Sequence, residues 1–136
     1  MFVIDKPLPA VTEDNAPYWE SCRAGRLSVQ RCGGCAELRW PPSVLCPHCL
    51  AEGGEWVALS GRGTIYSFIV VHRPQHPAFF EDAPYNVAIV ELEEGIRTHT
   101  TIVDCANDAL RVGLPVEVTF DKVNDEVTLP RFRPRR

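Results

Sequence analysis

The sequence has no apolar run long enough to span a bilayer, so no segment reads as a transmembrane helix. Its first residues, MFVIDKPLPAVTEDN, carry neither a positive n-region nor an extended apolar h-region. No secretory leader is expected, and the expectation is a cytoplasmic protein with no membrane contact. A basic excess is missing too: 14 Lys and Arg stand against 18 Asp and Glu, for a net charge of −4. Phosphate neutralisation supplies much of the affinity of general nucleic-acid binders, so this balance argues against nucleic acid as a partner. The one basic cluster, RFRPRR at the C-terminal end, reads as a solvated tail. P-loop, G-x-G-x-x-G and G-x-S-x-G patterns are absent, as are internal repeats and low-complexity tracts.

What is present is cysteine, six in 136 residues. Four form two pairs, Cys32-Gly33-Gly34-Cys35 and Cys46-Pro47-His48-Cys49, with ten residues between them. In a chain without an export signal this spacing favours a metal over disulfides. Each knuckle turns two thiolates toward one point, and two knuckles complete a tetrahedron for zinc. Gly33 and Gly34 relieve crowding where amides turn toward sulfur. Four thiolates leave no open position, so the zinc is structural and stabilises a segment too small to fold by burial. Iron is disfavoured because Ala36 and Leu50 stand where rubredoxin-like sites carry Gly. Redox C-x-x-C chemistry is disfavoured by the doubled motif. His48 lies inside the second knuckle, but Cys49 completes the set better. Cys22 and Cys105 have no activating base in view and read as small apolar groups.

The rest of the chain divides by pattern. Residues 1–29 read as an extended arm and a short helix, punctuated by Pro17 and Gly25 and docked by Tyr18 and Trp19. Residues 30–58 read as a zinc ribbon: a strand runs into Cys32, Leu38-Arg39-Trp40 is stopped by Pro41-Pro42, and Glu55 to Leu59 returns. From residue 59 to 136 the segments GRGTIYSFIVVHR, YNVAIVELEEG, IRTHTTIVD, PVEVTFDKV and EVTLPRF are rich in β-formers and end in turn residues. Five short strands cannot cover two broad sheets, and closure into an OB-like barrel removes their edges. The fold class is mostly β. Between the first two barrel strands, Pro74 to Pro84 holds Pro77 and the adjacent Phe79 and Phe80. Those rings either present a contact surface or fold back to plug the barrel mouth. His72, His76 and His99 are scattered and read as loop and surface polarity. Glu91, Glu93 and Glu94 read as a solvated hairpin. No catalytic residue is assigned.

The whole pattern after the first fifteen residues resembles the DUF35 family. The resemblance is carried by Trp19 to Gly25 with Leu27, Cys32-Gly33-Gly34-Cys35, Trp40-Pro41-Pro42 and Cys46-Pro47-His48-Cys49. It continues through Trp56, Ser60 to Phe68, Val70-Val71-His72, Pro84-Tyr85 and Val90 to Gly95. It closes with Gly113 to Val118 and Leu129-Pro130-Arg131-Phe132. The resemblance implies a rubredoxin-like zinc ribbon joined to a C-terminal five-stranded OB-fold. It also implies a noncatalytic accessory subunit of a thiolase-fold enzyme, whether thiolase, acyltransferase or steroid side-chain aldolase. The partner would supply the catalytic cysteine or tyrosine, and this chain would support the hetero-oligomer and the acyl-CoA channel. Under that reading Arg39 and Arg62 are candidates for CoA phosphates. His72, Pro77, Phe79, Phe80, Pro84 and Tyr85 are candidates for the partner contact or the acyl channel. Ser43, where the family often has Arg, and Arg97-Thr98-His99-Thr100 depart from the family pattern and leave substrate and partner open. The reading from a different class is a nucleic-acid-binding zinc-ribbon and OB module.

Overall fold

The computed structural model describes residues 6–135. Helix α1 spans Ala16–Arg23 with proline in its first turn, and the chain leaves it through Gly25 at φ 79°. Its inward face carries Tyr18 and Cys22, four residues apart and both buried. Strands β1 (Ser28–Cys32), β2 (Leu38–Arg39) and β3 (Gly54–Ala58) form an antiparallel sheet in the order β2-β1-β3. In register, Gln30 lies between Arg39 on one side and Trp56 on the other.

The second sheet contains β4 (Arg62–Val71), β5 (Tyr85–Leu92), β6 (Arg97–Thr100), β7 (Pro115–Lys122) and β8 (Thr128–Pro134). All its neighbouring pairs are antiparallel, in the order β6-β5-β4-β7-β8. The two ends of this order meet. Ile102 bridges Phe132 in parallel, and the Val103 amide donates to the Phe132 carbonyl at 2.8 Å. That seam closes the sheet into the five-stranded barrel and leaves no open edge there. The segment IRTHTTIVD is therefore not one continuous strand. Its first part pairs with β5 as β6, and residues 101–103 leave that ladder to zip against β8. Two partners on different sides of the barrel cannot be served by one straight strand.

Strand β4 crosses the barrel by bending. The register shifts between Ile65 and Ser67, leaving Tyr66 without a ladder partner. Tyr66 turns outward beneath the Arg97 guanidinium, 3.8 Å from its ring centroid. Near the start of β4, Gly63 has no room for a side chain: a Cβ there would lie 2.3 Å from the Glu91 carbonyl oxygen.

Ile65, Val90, Val116 and Phe132 fill the barrel and are almost fully buried. The same apolar cluster continues through Leu110 and Ile102 into Tyr18, Cys22 and Leu27. Helix α1 packs against β7 and β8 on one side and β1 on the other, so it is the mortar between ribbon and barrel. Trp40, just past β2, completes the joint with its ring 4.5 Å from Tyr18. The docking role expected for Tyr18 is met by packing.

One polar group inside this core is fully used. Buried Asn86 accepts from the Ile102 amide at 2.7 Å and donates to the Ile102 carbonyl and to Asn107 Oδ1. It therefore fixes the chain exactly where the seam begins. Asn86→Ala orphans both backbone groups of Ile102 and is expected to cost about 1–3 kcal/mol in urea denaturation. An unchanged midpoint would show that the seam does not depend on this side chain.

Candidate functional site

The two cysteine knuckles repeat one backbone arrangement. The Cys32 amide donates to the Glu37 carbonyl, and the Cys32 carbonyl accepts from Ala36. Fourteen residues on, the Cys46 amide donates to Ala51 and the Cys46 carbonyl accepts from Leu50. Each turn places its last residue in the left-handed region, Ala36 at φ 63° and Leu50 at φ 65°. The backbone thus takes the form that Gly would favour, with Ala and Leu in its place. At the backbone level, then, Ala36 and Leu50 do not distinguish this site from one built for iron.

The turns bring Cys32, Cys35, Cys46 and Cys49 together, with all four Sγ atoms within 4.8 Å of one another. The Cys32–Cys49 separation is 3.5 Å and the Cys35–Cys46 separation is 3.6 Å. A tetrahedron of about 2.3 Å bonds has edges of about 3.8 Å, so the donor set fits one zinc. A disulfide requires about 2.05 Å and is excluded. Backbone amides face the sulfurs: Gly34 and Cys35 point at Cys32, and His48 points at Cys46. The amides of Cys35 and Gly34 pull the Cys32 thiol down to about 6. Those of Cys49 and His48 lower Cys46. Cys35 is pushed up to about 12, because burial and the adjoining sulfurs outweigh the Glu37 amide. Four sulfurs this close cannot all ionise unless a cation sits between them. Zinc, when bound, supplies that charge and ties the knuckles together. The set is closed, so the centre offers no coordination position for a substrate. His48 is exposed and is not part of the cluster.

The remaining cysteines are not nucleophiles of an evident kind. Cys22 is fully buried and burial pushes its thiol up to about 11. Cys105 is half-buried and its Sγ faces the Ala106 carbonyl. No imidazole or carboxylate engages either one among the described residues.

The other candidates are dispersed. Arg39 does not lie on the surface as a phosphate contact. It is buried, its Nε donates to Gln30 Oε1 and its Nη2 to the Gly53 carbonyl, both at 2.9 Å. It is a strut of the ribbon, placed inward by its register opposite Gln30. Arg62 is exposed but committed to Glu93 through two hydrogen bonds of 3.0 and 3.1 Å. His72 is exposed in the bend after β4, and Pro77 opens a 3₁₀ turn, Pro77–Asp82. Inside that turn the adjacent phenylalanines part company. Phe79 packs back toward Tyr85 and His76, while Phe80 stays 56% exposed. Pro84 and Tyr85 lead from the turn into β5.

A surface not singled out from the sequence lies beside that turn. Along β5, Asn86, Ala88, Val90 and Leu92 face the core, so Tyr85, Val87 and Ile89 face outward. In register beside them on β4 are Val71, Ile69 and Ser67. This outer strip is apolar, and Ile69 is 62% exposed. The unbroken apolar run Val87-Ala88-Ile89-Val90 was the available signal, since a strand apolar on both faces belongs to a sheet covered on both faces.

Residues 19–53 match the ChsH2 rubredoxin-like zinc ribbon domain, and residues 56–121 match the ChsH2 C-terminal OB-fold domain. A probable enoyl-CoA hydratase alpha subunit of Thermomonospora curvata is 45% identical over 95% of this chain, which spans 40% of that relative's length. A DUF35 domain-containing scaffold protein of Methanothermobacter thermautotrophicus is 42% identical over 74% of this chain and 75% of its own. The benzoylsuccinyl-CoA thiolase subunit BbsA of Thauera aromatica is 31% identical over 87% of this chain and 74% of its own. A solved Ltp2-ChsH2(DUF35) aldolase contains a chain 45% identical to this one, with a TM-score of 0.83, covering 93% of this chain and 98% of that one.

Replacing Cys46 by Ser removes one of the four thiolates, and zinc affinity is expected to fall by more than about 100-fold. Cys105→Ser should keep one zinc per chain. Metal analysis by mass spectrometry after dialysis checks both. A Cys46→Ser protein that stays fully loaded would contradict the four-thiolate assignment.

Proposed function

The chain belongs to the DUF35 family of zinc-ribbon and OB-fold proteins, and on that premise we propose that it is a noncatalytic accessory subunit of a thiolase-fold enzyme acting on acyl-CoA. The observation that carries this reading is the outer strip of β4 and β5. Tyr85, Val87 and Ile89 beside Ile69 and Val71 make an apolar surface of a kind that a partner covers. The ribbon adds Val44, Leu45 and Leu50, all exposed around the second knuckle. Relatives described as scaffold and thiolase subunits support the same reading.

In this account the partner holds the reacting groups and this chain supplies shape. The zinc ribbon sets the position of Trp40 against α1, and the barrel carries the docking surfaces. A groove of about 520 Å³ runs between Leu8, Phe79, Val123 and Leu129, with Lys6, Asp121 and Arg131 as its charged lining. Its size and largely apolar lining suit an acyl chain, and it shares Leu129 and Arg131 with an aromatic-walled pocket beside α1. Of the eight surface candidates from the sequence, Phe79 borders this groove, and Tyr85 packs on Phe79 behind it. Arg62 and His72 lie outside its lining, and Arg39 is internal to the ribbon.

Affinity purification of the tagged chain from its native host should recover a thiolase-fold protein in stoichiometric amount. Zinc-loaded chain that returns alone would sink the proposal. Ile69→Asp places a charge on the apolar strip without touching the core. It is expected to weaken that association by about 2 kcal/mol or more, roughly 30-fold, while thermal stability stays near that of the parent.

A further inference from the structure

A second surface carries a more specific instruction. Between α1, the ribbon and the barrel lies a shallow pocket of about 270 Å³. Tyr18, Trp19 and Trp40 form its aromatic wall, and His99 and Leu129 with Arg131 line it from β6 and β8. The pocket has no aspartate or glutamate in its lining, although the chain is acidic overall. The other arginines on the barrel strands have carboxylate partners: Arg62 on Glu93, Arg97 on Glu91, Arg133 on Glu117. Arg131 is half-buried and has no ion-pair or hydrogen-bond partner among the described residues. The exposed His99 is equally uncommitted.

A half-buried, uncommitted arginine in the lining of a pocket walled by three aromatic rings suits a negative group with an apolar stem. The volume lies below that of ordinary small-molecule sites, about 300–1,000 Å³, and suits one protein side chain. The residue types point the same way, since Trp, Tyr and Arg dominate the energetically decisive centres of protein interfaces. We propose that this pocket receives a carboxylate-bearing segment of the partner subunit, with Arg131 pairing the carboxylate and the Tyr18, Trp19 and Trp40 wall taking the apolar part. The proposal rests on the accessory-subunit reading and adds to it a polar register pin at the ribbon–barrel joint, apart from the apolar strip on β4 and β5. That joint is where ribbon and barrel have a fixed relation, so a pin there orients both at once.

The test measures binding of the purified partner subunit to the zinc-loaded chain at low and high salt, by biolayer interferometry. Arg131→Glu is expected to raise the Kd about tenfold or more, with Arg131→Lys intermediate and Arg62→Glu near the parent. Raising salt should weaken the parent and have less effect on Arg131→Gln. His99→Asp, at an exposed position, should also weaken binding and guards against misfolding of the Arg131 variants. Parental affinity in folded, zinc-loaded Arg131→Glu would overturn the pocket assignment and leave the subunit reading standing. The assignment is equally overturned if the variant loses binding of coenzyme A, used as a probe, while keeping the partner. If the parent chain binds no thiolase-fold protein at all, both readings fall together.

Discussion

Four thiolates converging on one point are the constraint from which the rest of this structure follows. Neither knuckle has an apolar interior, and the three-stranded sheet around them is too small to fold on burial alone. Without a cation the sulfurs avoid their charge conflict by holding protons, which leaves the two knuckles untied, so metal binding and ribbon folding are coupled. Once the knuckles are set, β1 and β3 are in register and β2 is held at Gln30 by Arg39. Trp40 then emerges against Tyr18. The ribbon delivers one aromatic ring to the helix, and the helix delivers Tyr18 and Cys22 to the barrel.

The barrel solves a different problem. Its sheet would leave β6 and β8 as open edges, and the seam at Ile102 and Phe132 pairs them. The link is brief, which makes Asn86 important: it serves both backbone groups of Ile102 from inside the core. The bulge at Tyr66 lets β4 take part on both sides of the closed sheet. The outer surface is therefore set by closure. Residues of β5 that do not face the core have nowhere to go but outward, apolar as they are.

Much of this was legible in the sequence because the signals are local. C-x-x-C spacing, β-rich segments between turn residues, and Pro17 to Gly25 each encode an element within a few residues. What was hidden depends on partners distant in the chain. Arg39 read as a surface cation because nothing local says that Gln30 and Gly53 will surround it. The break after Thr100 was invisible because the competing partner, Phe132, lies far along the sequence. Phe79 and Phe80 could not be separated by pattern, since a 3₁₀ turn sends neighbouring side chains in different directions. Ala36 and Leu50 show the converse case, where a backbone form persists without the residue that usually marks it.

Burial is not shared equally among the four metal-binding thiols. Cys32 and Cys46 are buried and Cys35 is half-buried, but Cys49 is exposed. A centre complete in coordination is thus open to solvent along one arm. A competing chelator or electrophile meets Cys49 first, while the amide-supported sulfurs of Cys32 and Cys46 keep their hold. Metal exchange would proceed stepwise from that side, and a partner seated over Leu50 would slow it, so that the lifetime of the bound ion reports on assembly.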